Sequence, residues 1–161
     1  MKAQATIEFL ISTLVFLIAI SFIIFTIYGN YPIFRQENVK NVLLSKSFQI
    51  TQILLTSAGS PRDWDMSNVE TIGLSTGLPY ILDSRKISEL NCSETEYEKV
   101  REIFGLQKHD LIINITDENG ITISTCAPPA ISLVRPKYWF ERFAIMFDGS
   151  TKIVRISVTV Y

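Results

Sequence analysis

Histidine occurs once in the 161 residues, at position 109, and cysteine only twice, at 92 and 126. Structural zinc takes four Cys or His ligands, so too few are present for such a site. Cationic excess is also missing: Lys and Arg total 15 against 16 Asp and Glu, a net charge of −1. Without surplus positive charge to meet phosphates, an electrostatic nucleic-acid binder is excluded. The seven glycines form no phosphate-cradling loop. His109, in Lys108-His109-Asp110, has no serine in a nucleophile-elbow context, so no catalytic set is visible and an enzyme is not expected. Charged residues are 19 %, below the roughly 25 % of an average soluble domain. Apolar residues reach 47 %, which excludes disorder for most of the chain. The length suits one domain.

The apolar residues are concentrated. Phe9 to Tyr28 is a run of 20 residues without a charge. As a helix it spans roughly 30 Å, the thickness of a bilayer's hydrocarbon core. Its polar members are Ser12, Thr13, Ser21 and Thr26, whose hydroxyls can bond back to the i−4 carbonyl. A helix apolar on every face is covered by lipid or by other helices. A secretory signal fits poorly: its apolar stretch is about 7–15 residues long and small residues follow at the cut. Here Gly29-Asn30-Tyr31-Pro32 follows. Lys2 before the helix and Arg35, Lys40 and Lys46 after it leave the orientation undecided.

Lys2-Ala3-Gln4, then Glu8, then the uninterrupted apolar run resembles the class III signal peptide of type IV pilin-like proteins, particularly archaeal ones. The resemblance covers about 25 residues; the rest matches only in architecture, with a vaguer likeness at Ser60-Pro61-Arg62-Asp63-Trp64 and Ile72-Gly73-Leu74. Bacterial leaders usually carry Gly before the cut and Phe or Met after it, where this chain has Ala3 and Gln4. The resemblance implies a cut between Ala3 and Gln4 by a prepilin peptidase on the cytoplasmic side. Residues 1–3 leave and the helix stays. Glu8 becomes the fifth residue of the mature chain, the family's hallmark glutamate. In a filament Glu8 is buried, and an isolated buried carboxylate is costly. Pairing with the freed amine of Gln4 on a neighbouring subunit offsets that cost and sets axial register.

Asn30 and Pro32 are expected to bend or break the helix near 30–32. Val39, Val42, Leu43, Ile50, Ile53 and Leu54 then recur at helical spacing, predicting an amphipathic helix over about 36–57 that ends at Ala58-Gly59-Ser60-Pro61. An apolar half followed by an amphipathic half suits one long helix packed on a head; two helices across a linker is the other arrangement. Residues 58–82 read as irregular surface structure. Asp63, Asp65, Ser67 and Glu70 hint at a calcium loop, but Asn68 and Leu74 stand where an EF-hand needs Gly and Glu. Asp83 or Ser84 can open a short helix to Leu90, and Ser93–Glu96 is a capping box for another through Phe104, closed by Gly105.

The last third alternates. Leu111, Ile113 and Ile115 lead to Glu118-Asn119-Gly120 and then Ile121–Thr125. A three-residue loop with left-handed Gly120 is expected to set Ile115 opposite Ile123. Pro128-Pro129 and Pro136 interrupt any strand between them. Phe143, Ile145 and Phe147 turn at Asp148-Gly149-Ser150 into Val154, Ile156, Val158 and Val160. One apolar and one polar face predict an antiparallel sheet covered on one side by the amphipathic helix. The fold expected is α+β: a long N-terminal helix on a small antiparallel sheet.

Cys92 and Cys126 either form a disulfide or are two buried thiols. Asn91-Cys92-Ser93 and Asn114-Ile115-Thr116 are glycosylation sequons, with Asn114 expected on the polar face. The expected organisation is a leader at 1–3, a helix at 4–57 with its membrane or filament core at 9–28, and a head at 58–161. The expected function is a pilin or minor pilin of an archaeal surface filament of type IV pilus kind, serving adhesion. Its partners are prepilin peptidase, the membrane before assembly and other pilin copies afterwards. No cofactor and no metal are expected. The alternatives are an uncleaved single-pass accessory protein of a motility or secretion complex and, more weakly, a tethered ligand-binding module with a pocket in 58–161.

Overall fold

The computed structural model describes residues 2–90, 92–106, 108–129 and 138–161, without the side chains of residues 2–6, 30 and 32–36. Pro136 and Asn91 lie outside the described residues. An apolar N-terminal helix is followed by a curled mixed sheet, an α+β arrangement. Two compact units result, residues 1–40 and 41–161.

Helix α1 runs over Lys2–Thr56, so no helix end occurs at 30–32 where a break was expected. Pro32 withholds one amide from the ladder, at a cost of about 3 kcal/mol, and the helical turns on both sides outweigh it. In the second unit α1 buries Leu43, Ser47, Ile50, Thr51, Leu54 and Leu55. These recur at steps of three and four and define one stripe. Val39, Val42 and Ile53, expected on that stripe, are exposed, and two hydroxyl residues take part instead. Ser47 Oγ donates to Leu43 O at 2.9 Å and Thr51 Oγ1 to Ser47 O at 2.7 Å, so neither hydroxyl is buried without a partner.

The sheet has five strands, β1 (Ile81–Asp83), β2 (Leu111–Asp117), β3 (Thr122–Cys126), β4 (Tyr138–Phe147) and β5 (Thr151–Val160), in the order β1-β4-β5-β2-β3. Three pairings are antiparallel, but β1 lies parallel to β4, with Ile81 opposite Ile145. The sheet is therefore mixed, where a wholly antiparallel one was expected. The parallel pair arises because β1 belongs to the segment read as irregular and reaches β4 through the two short helices α2 (Ser84–Glu89) and α3 (Glu94–Ile103) and the rest of the sheet. Parallel strands need such a long connection. Asp83 caps α2 by accepting from Arg85 N at 2.9 Å. Ser93 N donates to Glu96 Oε2 at 2.7 Å in the expected capping box of α3.

Two registers differ from expectation. The β2–β3 loop is the three-residue one, with Gly120 at φ 81° and Asp117 N bonded to Ile121 O at 2.9 Å. Ile115 nevertheless faces Ser124, because the strands slip at a bulge that takes up Ile123. The slip brings Cys126 opposite Ile113 on the buried face, where it meets Cys92. In the last hairpin Ala144 faces Val154 and Phe143 faces Arg155. Ala144 and Met146 thus turn inward, while Phe143, Ile145 and Phe147, expected in the core, turn outward with Trp139. The face expected to be polar carries a row of large apolar side chains.

The core lies between the stripe of α1, the inner sheet face and residues 58–82. That segment is irregular but not superficial: Trp64, Val69, Ile72, Leu74 and Leu82 are all buried. It contributes apolar area to the core in the absence of regular secondary structure.

Candidate functional site

The expected processing and assembly residues are Lys2, Ala3, Gln4 and Glu8. All four fall in α1; the side chains of the first three lie outside the described residues. Gln4 and Glu8 are four residues apart in the helix, which puts them on one face, one turn from each other. Glu8 is exposed, at the start of the segment Ile7–Gly29. That segment is 23 residues long and apolar enough to cross a membrane, and none of it is buried. Phe9, Phe16 and Phe25 project from it exposed. Thr13 Oγ1 donates to Phe9 O and Thr26 Oγ1 to Phe22 O, each at 2.9 Å. Their polarity is thereby absorbed by the helix's own backbone, and the surface offered outward is hydrocarbon. Glu8 is the one Asp, Glu, Lys, Arg or His in Ile7–Gly29.

Cys92 and Cys126 are joined by a disulfide with Cα atoms 5.0 Å apart. It ties the entry to α3 to β3, an edge strand of the sheet. Asn114 is mid-strand, between Thr125 on β3 and Ser157 on β5, half-buried, with its Oδ1 buried and unpartnered. It sits on the face away from the core, but among neighbouring strands and not in a loop. Asn91, the other sequon residue, is outside the described residues.

Asp65 is committed to its own turn. It accepts from Ser67 Oγ at 2.5 Å and Ser67 N at 2.7 Å, bonds that hold its carboxyl below the usual range. Among the described residues no three His, Cys, Asp or Glu are grouped to hold a metal. A cleft of about 360 Å³ opens beside the two hairpin turns, lined by Asp117, Glu118, Ile123, Asp148, Lys152 and others. Asp117 is likewise occupied, accepting from Ile121 N at 2.8 Å, and its carboxyl is held low chiefly by that bond. His109 is half-exposed beside the start of β2.

The arrangement that sequence reasoning missed surrounds the C-terminal end of α1. The last carbonyls of a helix have no partners within it. Here Leu74 N donates to Leu54 O at 3.0 Å, Tyr80 N to Leu55 O at 2.9 Å and Ser75 N to Ser57 O at 3.0 Å. Lys86, 2 % exposed, adds its ammonium: Nζ donates to Ala58 O at 2.7 Å and to Ser75 O at 3.1 Å. Burial pulls its pKa down. A cation there also complements the negative end of the helix dipole. Gly73 permits the approach, because a Cβ on it would collide with the Ser57 carbonyl and the Gly59 amide. Trp64 locks the wrap by donating Nε1–H to Gly73 O at 2.8 Å. The signal available in the sequence was Gly59 and Gly73 flanking a tryptophan; nothing marked Lys86.

The chain matches no family model, no curated protein and no solved structure.

Proposed function

We propose that this chain is a type IV pilin-like subunit, a pilin or minor pilin of an archaeal surface filament, with a structural and not a catalytic role. The observation that carries the reading is the unburied apolar segment Ile7–Gly29 with Glu8 as its second residue and Lys2-Ala3-Gln4 shortly before it. Prepilin peptidase removes residues 1–3. The helix waits in the membrane, then leaves lipid to bundle with its copies, and residues 58–161 are displayed outside the cell. Helix bundling exchanges one apolar surround for another, so packing and rare polar groups decide the register. The carboxylate of Glu8 and the new amine of Gln4 are those groups.

Sheared filaments from cells carrying the native peptidase test this reading. Peptides from residues 35–161 are expected in the filament fraction. Their absence there, with the whole chain retained in the membrane, would turn the assignment to an uncleaved, anchored accessory protein.

A further inference from the structure

The outer sheet face is the least water-adapted surface of the second unit. Trp139, Phe143 and Phe147 are 62 %, 63 % and 59 % exposed, with Ile145 and Ile153 beside them. An aromatic side chain carries about 150–250 Å², so these five residues present on the order of 500 Å² of apolar surface. That lies in the range of the largest patch a monomer carries, about 300–600 Å². Each partner in a stable protein contact contributes about 800 Å², and about 60 % of it is apolar. Five apolar residues with the polar ones between them reach that size and proportion.

The polar residues between them point to the occupant. Two charges stand at the centre of this face, Glu141 on β4 and Arg155 on β5. Glu141 is opposite Ser157 and Arg155 opposite Phe143, so the two are diagonal neighbours, about 7–8 Å apart along the sheet. They do not pair with each other, and no carboxylate among the described residues pairs with Arg155. The Arg155 guanidinium lies 5.6 Å from the Phe143 ring centroid, and its Nε is buried without a hydrogen-bond partner. A half-buried cation with no carboxylate partner among the described residues can take an anion from outside. Asp83, opposite Phe147 at the edge of this face, is occupied in capping α2, and a face with one charge of each sign side by side at its centre is complementary to itself there. A two-fold axis lying in the interface between them sets each Glu141 against the Arg155 of the other copy. A lipid surface fits less well, because the carboxylate of Glu141 would face it with no net positive charge to compensate.

We infer that the outer face of the sheet packs on the same face of a second copy of this chain, with Glu141 of each copy paired to Arg155 of the other. The contact needs no filament and does not rest on the filament reading.

The test uses the full chain in membranes and in mild detergent. Ser157 stands beside Glu141 near the axis, so Ser157→Cys is expected to give a covalent dimer with a bis-maleimide spanning roughly 10 Å, the separation of packed sheets. Glu141→Arg and Arg155→Glu, each added singly, are expected to weaken that cross-link at least tenfold, and both together to restore it. The pattern separates face pairing from association through α1, which no charge reversal here touches. Retention of the Cys92–Cys126 bond checks that each variant is folded. A cross-link indifferent to the reversals, no cross-link at all, binding of this face to lipid vesicles in its place, or an intact mass showing a glycan on Asn114 within this face would overturn the inference.

Discussion

Lys86 Nζ lies 2.7 Å from the carbonyl oxygen of Ala58, two residues beyond the end of α1. A lysine from a six-residue helix thus closes the C-terminus of a 55-residue one. Replacing it by methionine keeps much of the packing but removes the donor from the Ala58 and Ser75 carbonyls. An unsatisfied buried acceptor costs about 1–3 kcal/mol. Lys86→Met is expected to lower the thermal midpoint of the full chain in detergent. An unchanged midpoint would show that the wrap is held by its backbone bonds alone.

Gly73→Ala attacks the same wrap from the other side. The added methyl meets backbone at Ser57 and Gly59, which cannot swing aside as a flexible side chain can. Overpacking of this kind costs about 1–3 kcal/mol. Trp64 is buried and Trp139 exposed, so a red shift in tryptophan emission would report displacement of Trp64 from Gly73 O.

The disulfide closes a loop with a sequence separation of 34. In the chain-entropy model such a loop contributes about 3–4 kcal/mol. The Cys92→Ser, Cys126→Ser double variant is expected to melt well below the oxidised chain, and reductant to lower the oxidised chain's midpoint to a similar degree. Equal midpoints with and without reductant would contradict the bond's role.

Alkaline pH should loosen the head through Tyr161. Burial, first of all, pushes its hydroxyl up to about 12 from an ordinary 10.0. The folded state therefore holds a proton that the unfolded state releases. The stabilisation is complete below pH 10 and disappears as pH rises to about 12. Two pKa units correspond to about 2–3 kcal/mol. Tyr97, also raised mainly by burial, adds to the same slope. Tyr161→Phe should flatten the fall in stability above pH 10; an unaltered fall would locate it elsewhere.

What was legible in the sequence followed local chemistry. The unbroken run Phe9–Tyr28, the Ser93–Glu96 box and the alternation of Leu111, Ile113 and Ile115 each define an element through its own residues, and each lies in the element expected. What was not legible depended on distant partners. The inward turn of Ala144 depends on its pairing with Val154, and periodicity alone cannot choose between two apolar faces of one strand. The slip at Ile123 accompanies the placement of Cys126 on the buried face beside Cys92, a partner 34 residues away. The burial of Lys86 needs three segments to converge on its ammonium.

If Glu8 sets register, then Glu8→Gln should leave the cut after Ala3 intact and abolish filaments, since the amide cannot answer the amine's charge. Processed Glu8→Gln subunits that assemble normally would remove that role.

A pilin-like subunit loses a short leader and keeps its apolar helix. The most direct test is the intact mass of the mature protein from cells with their own prepilin peptidase. A chain that begins at Gln4 and retains everything after it is expected. A chain that still carries Lys2 and Ala3 would contradict that processing.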